Sequence, residues 1–327
     1  MRVHEFLQLY ESGHRNFKGI NLSGADLSSC ILVNVDLSGA NLIGTNLSRA
    51  FLTKGKFVDA QLQRANLQFA KLSESNFNHA DLTKVYGRGA FWIKSELSHA
   101  QLSGAQLGHA NMRQSHMHCA NFCGAALQGV NLREAQLSGA NFAWANLSGA
   151  RLYGADITAV QFSGVNLESS RLNGLNFSGC DLDGVKFSHA SMKGTNLQQA
   201  NLTSVNLSHA QLQNANLQQA VMVGANLHHA QLQRANLRDA DLSRANIEEA
   251  DFTGAILTNA ILQNAELESL SANQTVLERK PVAIPPMQPQ TPAAASKIYM
   301  GMISPAMVGA PIDTPGSMAN ALTILRR

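Results

Sequence analysis

Proline is missing from the first 280 residues of this 327-residue chain, since all eight prolines lie at or after Pro281. The backbone donors before that point are therefore uninterrupted, and the chain ends in a different kind of polymer. Cysteine is scarce as well. Cys30, Cys119, Cys123 and Cys180 make no CxxC pair and no disulfide framework, which fits a reducing compartment. An excess of one charge is also absent: from Arg15 to Leu270 there are 19 Lys and Arg against 18 Asp and Glu, and the whole chain carries +3. That balance gives no electrostatic case for nucleic acid or an anionic membrane as partner. No apolar run reaches the roughly 18 residues of a membrane span, and MRVHEFLQLYESGH has no apolar core long enough for a signal peptide. A cytoplasmic location is expected. Motifs for catalysis are lacking too: there is no GxxxxGK[ST], GxSxG, HExxH or GxGxxG, and no paired-carboxylate or Ser/His/Asp spacing. No catalytic residue, no cofactor and no enzymatic activity are expected. The NLS and NLT triplets are by-products of a repeat and carry no glycosylation signal.

What the chain does contain is a period of five. From Phe17 to Leu267 every residue whose number ends in 2 or 7 is a centre: of 51 such positions 34 are Leu, 9 Phe, 4 Met and 2 Ile, with Gly87 and Trp92 the exceptions. Two places earlier stands a small residue, such as Ala200, Val205 or Ala210, and Leu175 is the clear bulky exception inside the array. Asn, Asp or Gln usually precedes the centre, and Ser, Gln, Arg, His or Gly follows it. Neither a helix (period about 3.6) nor a strand (period 2) generates this spacing. The physical solution is a very short strand with its large residue inward, turning at a corner where only a small inward residue fits. One unit cannot bury its Leu alone, so coils must stack at the strand spacing of about 4.8 Å.

The repeat divides the chain into residues 1–14, 15–270 and 271–327. In the first, Phe6, Leu7 and Tyr10 have helical spacing and Gly13 is a C-terminal stop, predicting a short helix that covers the open end of the first coil. In the last, PVAIPPMQPQTPAAAS puts five prolines into twelve residues and cannot continue the stack. It reads as a linker, followed by the apolar KIYMGMISPAMVG and by SMANALTILRR, which suits a short amphipathic helix. This tail is expected to be either a lid over the last coil, preventing end-to-end self-association, or a docking peptide.

The units ANLTS, ANLQQ, ADLSR and ADFTG resemble the A(D/N)LXX repeat of the pentapeptide-repeat family, and the resemblance covers about 250 residues. LYESGHRNFKGINLSGADL is similar to the opening of many cyanobacterial members. The resemblance implies an all-β fold, a right-handed quadrilateral parallel β-helix with four repeats and twenty residues per coil. At that pitch 12 to 13 coils would extend roughly 60 Å. Departures are few: Gln often replaces Asn or Asp, and Gly87 empties one core position.

Residues twenty apart then stack in columns. Phe122, Phe142 and Phe162 should form one inward ladder, and Phe57 should lie under Phe77. Trp92, beside Gly87, is expected to fill the volume the glycine leaves. Two outward columns hold metal-ligand types: Asp59, His79, His99 and Cys119, and His189, His209 and His229. A straight column fans its ligands outward rather than around a point, so no metal is expected from either. Exposed aromatics are the candidate protein interface: Phe69 over Gly89, with Tyr86 and Phe91 nearby, and Trp144 between Gly124 and Gly164. The expected function is a non-enzymatic scaffold presenting polar faces to an unidentified protein. Some members of the family resemble B-form DNA and bind type II topoisomerases, but a mimic needs strong acidity, which this repeat does not have.

Overall fold

A computed structural model describes residues 2–265, and the expectations for the proline-rich segment lie outside them. The first element is helix α1, Val3–Glu11. The Glu5 carboxylate accepts the Arg2 backbone N–H at 3.1 Å, closing the helix N-terminus. At the other end Gly13 has φ +101°, and the His14 N–H reaches the Leu9 carbonyl at 3.0 Å, so the glycine does stop the helix. Phe6 is fully buried with its ring edge-on to Phe17, 4.6 Å between centroids, and the Tyr10 hydroxyl donates to the Val33 carbonyl. The helix thus shields the first coil, as its apolar spacing predicts.

Beyond α1 every unit has the same local structure. Except at Asp156 and Gln161, the residue before each centre bridges in parallel to the residue twenty positions on, from Asn16 to Ile261, so four five-residue units complete one coil of a parallel β-helix. Every residue ending in 2 or 7 from Phe17 to Leu257 is buried. The N–H three residues after each centre bonds back to that centre's carbonyl, closing a turn, as from Ala200 to Leu197 at 3.1 Å. The residue inside the turn, numbered 4 or 9, always has φ between +53° and +72° from Gly19 onward. Glycine suits this left-handed geometry, yet residues as bulky as Phe69 and Trp144 adopt it, at roughly 1 kcal/mol each. Asn or Asp before the centre closes the same turn from outside, because its side chain accepts the N–H two residues on, as Asn206 does from Ser208. Asn side chains also bond along columns, Asn236 to Asn216 and Asn216 to Asn196, both at 3.2 Å. Small hydroxyl residues at the inner corner remain satisfied, since Ser75 and Ser95 donate to the carbonyls of Leu52 and Leu72.

The core departs from the sequence expectations in two places. Phe57 and Phe77 stack at 4.4 Å and Phe122 and Phe142 at 4.8 Å, but Phe162 leaves its ladder and packs against Phe177 at 5.6 Å and 57°. At Gly87 the filler is Leu107 of the next coil: its Cδ2 lies 2.8 Å from where a Cβ on Gly87 would stand. Trp92 is fully buried, but its ring contact is with Phe77 at 4.6 Å. The five-residue count continues unbroken through VYGRGAFWI, so the change is compensated inside the core.

A larger departure surrounds Leu175. Between residues 154–164 and 173–183, five ladder bonds made elsewhere are missing among the described residues: those from the N–H of Gly154, Ile157, Ala159, Phe162 and Gly164 to the coil above. Two more, from Asn176 and Asp181 to the coil below, are missing as well, and so are two bridges. The remaining two sides of the same coils stay joined, through Leu147 to Asn166 at 2.7 Å and Leu152 to Arg171 at 3.0 Å. Leu175 stands where this corner column otherwise holds Ser115, Ala135, Ala155 and Thr195. It bonds normally to the coil above, accepting the Asn196 N–H at 2.9 Å, while its isobutyl group is buried directly over Ala155. A wedge of three extra carbons at a corner sized for a methyl parts the coils on that side.

Candidate functional site

The outward aromatics occupy neighbouring columns. Ile31, Phe51, Lys71 and Phe91 are bridged in succession along one side, and the edge preceding it carries Arg49, Phe69 and Gly89. Phe51 and Phe69 are 46% and 47% exposed, whereas Phe91 is half-buried beneath Lys71, whose Nζ lies 3.4 Å from the ring centroid. Ser29, Arg49, Phe51, Phe69 and Lys71 line an open groove of about 520 Å³. Phe69 lies flat over Gly89, where an added Cβ would meet its ring at 2.7 Å. Tyr86 is exposed on the adjoining side. Trp144, 72% exposed, lies over Gly164 but not Gly124, whose Cβ position meets nothing within 4 Å.

Charge in this region is less even than the totals suggest. Residues 49–94 contain eight Lys and Arg against three Asp and Glu. Whole-repeat neutrality hid this bias, which a windowed count reveals. Sequence reasoning also passed over Ile31 and Phe51: they stand before centres, where Asn and Asp dominate, and only the columns connect them to Phe69.

The two metal-ligand columns differ. His79 and His99 stack in parallel, 5.0 Å apart and 2° between planes, and Asp59 and Cys119 continue the column without converging on them. His189 and His209 do the same at 4.6 Å and 3°. His229 stacks on His209 at 4.8 Å, and there the column meets an off-column neighbour, His228, 4.1 Å from the His229 ring at 73°. Glu249 follows twenty residues on, its Oε2 3.1 Å from His229 Nδ1, and Glu248 approaches His228 at 3.8 Å. Burial pushes the His209 imidazole below the ordinary histidine range, and repulsion from His189, His229 and His228 adds to this. The sequence signal was present, HH at 228–229 above which EE stands at 248–249, but reading single columns missed it.

Among the described residues no helix is long and apolar enough to cross a membrane. No curated protein sequence matches the chain. Among solved structures, HetL of the cyanobacterium Nostoc sp. strain PCC 7120, a pentapeptide repeat protein involved in heterocyst differentiation regulation, is 28% identical, covering 81% of this chain and 96% of its own, with a TM-score of 0.41. QnrB1, a plasmid-mediated fluoroquinolone resistance protein, is 18% identical over 76% of this chain and 91% of its own, TM-score 0.39. A pentapeptide repeat protein of the Arabidopsis thaliana thylakoid lumen is 27% identical over 30% and 71%, TM-score 0.25. The family model for pentapeptide repeats matches in eight copies, at residues 20–57, 60–86, 95–133, 115–154, 125–164, 161–199, 200–239 and 235–269. With well over half of its length matched, the chain belongs to the pentapeptide-repeat family, and its coils form a right-handed β-helix.

Proposed function

We propose that this chain is a non-enzymatic scaffold of the cytoplasm that binds a protein through the aromatic and basic groove around Phe51 and Phe69. The observation that carries this reading is the juxtaposition of two half-exposed rings with Arg49 and Lys71 on coils joined by ladder bonds, from Phe51 to Cys30 and from Lys71 to Ala50, both at 2.9 Å. Rigid aromatic anchors contribute contact area at little entropic cost, and the flanking cations select partners by charge. The partner segment that fits is acidic with an apolar side chain for the groove. Four columns of buried centres support a quadrilateral section with flat, polar faces, and Tyr86, Phe91 and Trp144 would extend the contact surface beyond the groove. The DNA-mimic reading requires an acidic surface, and the basic excess in residues 49–94 argues against it.

Affinity capture from the host with wild type and with the double variant Phe51→Ala, Phe69→Ala tests this. A partner should be retained by wild type at low salt, released as salt rises, and lost by the double variant at unchanged melting temperature. A partner held equally by both proteins would remove the groove from the account.

A further inference from the structure

The geometry points to a divalent-metal site at His228, His229 and Glu249, of the kind taken by Zn²⁺ or Cu²⁺. One ligand atom from each of the three residues lies within 4.8 Å of the other two. Two imidazoles and one carboxylate are a donor set for borderline metals, whereas Ca²⁺ and Mg²⁺ require oxygen throughout. The columns by themselves offer nothing comparable, because stacked parallel rings aim their nitrogens side by side. Convergence arises where the pitch of twenty residues places Glu249 beside His229 and the turn places His228 across from it at 73°.

The backbone supporting these donors is fixed. The His229 N–H bonds to the Glu248 carbonyl at 3.0 Å, the His228 N–H to Asn226 Oδ1 at 3.1 Å, and the Asn246 N–H to the Ala225 carbonyl at 2.9 Å. The stacked His209 ring limits how His229 can turn. Side-chain adjustment is small: ligand atoms about 2.0–2.1 Å from a metal stand roughly 3.3 Å apart in a tetrahedron, Glu249 Oε2 and His229 Nδ1 are already 3.1 Å apart, and no pair of the three ligand atoms has to close from more than 4.8 Å. Three protein ligands leave a position open to water or to Glu248. Since Glu249 belongs to the coil that follows the two histidines, a bound ion would fasten two successive coils together.

The test is titration of the full chain with Zn²⁺ by calorimetry and with Cu²⁺ by electron paramagnetic resonance. One equivalent should bind, with a Cu²⁺ signal showing two nitrogen donors and a higher melting temperature with Zn²⁺ present. His228→Gln, His229→Gln and Glu249→Gln should each weaken Zn²⁺ binding by about tenfold or more. The double variant His79→Gln, His99→Gln should bind as wild type does. Binding should also weaken on acidification, because protons compete with the metal for the imidazole nitrogens. Circular dichroism of each variant separates ligand loss from misfolding. Substoichiometric uptake by wild type, or unchanged affinity in folded Glu249→Gln, would overturn the assignment.

Discussion

The coils meeting at residues 195–214 and 215–234 obey the same five-residue rule as those meeting at 154–164 and 173–183, yet only the first pair has a complete ladder. Above 195–214 every expected bond is present, from Leu197 to Asn216 at 2.7 Å through Asn214 to Gln233 at 3.0 Å. In the second pair the corner residues Ala155, Val160 and Cys180 are only partly buried, as otherwise happens near the two ends of the described array. The pairs differ at two corner columns, Leu175 over Ala155 against Ala215 over Thr195 and Cys180 over Val160 against Ala220 over Ala200, and Leu175 is the largest of these changes. Inward Leu residues drive the coils together, and the small corner residue decides how closely they approach. A family pattern that tolerates many centres is thus intolerant at the corner. Ile20 escapes the penalty because it lies in the first coil, which has no coil beneath it.

The regular pair is broken most severely by charge at a centre. Leu207→Asp buries an unpaired carboxylate between coils and should cost several kcal/mol, seen as a melting temperature many degrees lower, while the half-exposed Ser208→Asp should leave it nearly unchanged. Making the regular pair imitate the parted one is a sharper intervention. Ala215→Leu, in the same column as Leu175, should destabilise by about 1–3 kcal/mol in thermal or denaturant unfolding and open a new seam above Thr195. A smaller effect concerns pH. The His209 imidazole is held below its unfolded-state range, so the unfolded chain binds more protons as pH falls through the ordinary histidine range. Stability should therefore fall on acidification from pH 7 to pH 5, and His209→Gln should reduce that slope in parallel melts.

Much of this was legible in the sequence, because register is set by side chains whose burial is compulsory. Leu, Phe and Met at the centres, small residues at the corners, the helix stop at Gly13 and the stacked pairs Phe57–Phe77 and Phe122–Phe142 all follow from one period. What escaped depends on relations between coils rather than on the period. Phe162 turns toward Phe177 because the coil above it has lifted, and Gly87 is filled by Leu107 from twenty residues away, not by Trp92 nearby. The positive φ inside every turn was hidden because His, Arg, Phe and Trp also occupy it beside the many Gly. The candidate groove was half visible: Phe69 and Phe91 stand out as rings, whereas Phe51 and the local basic excess needed the columns.

The central claim, that corner volume governs whether neighbouring coils close, is tested most directly by residue-resolved amide hydrogen exchange. The account predicts that Ile157, Ala159, Phe162 and Gly164 exchange on the order of a hundredfold or more faster than Leu197, Gln199, Leu202 and Ser204, their counterparts two coils on. In Leu175→Ala the first set should slow toward the second. Equal protection of the two sets in the wild-type protein, or fast exchange that Leu175→Ala leaves untouched, would contradict it.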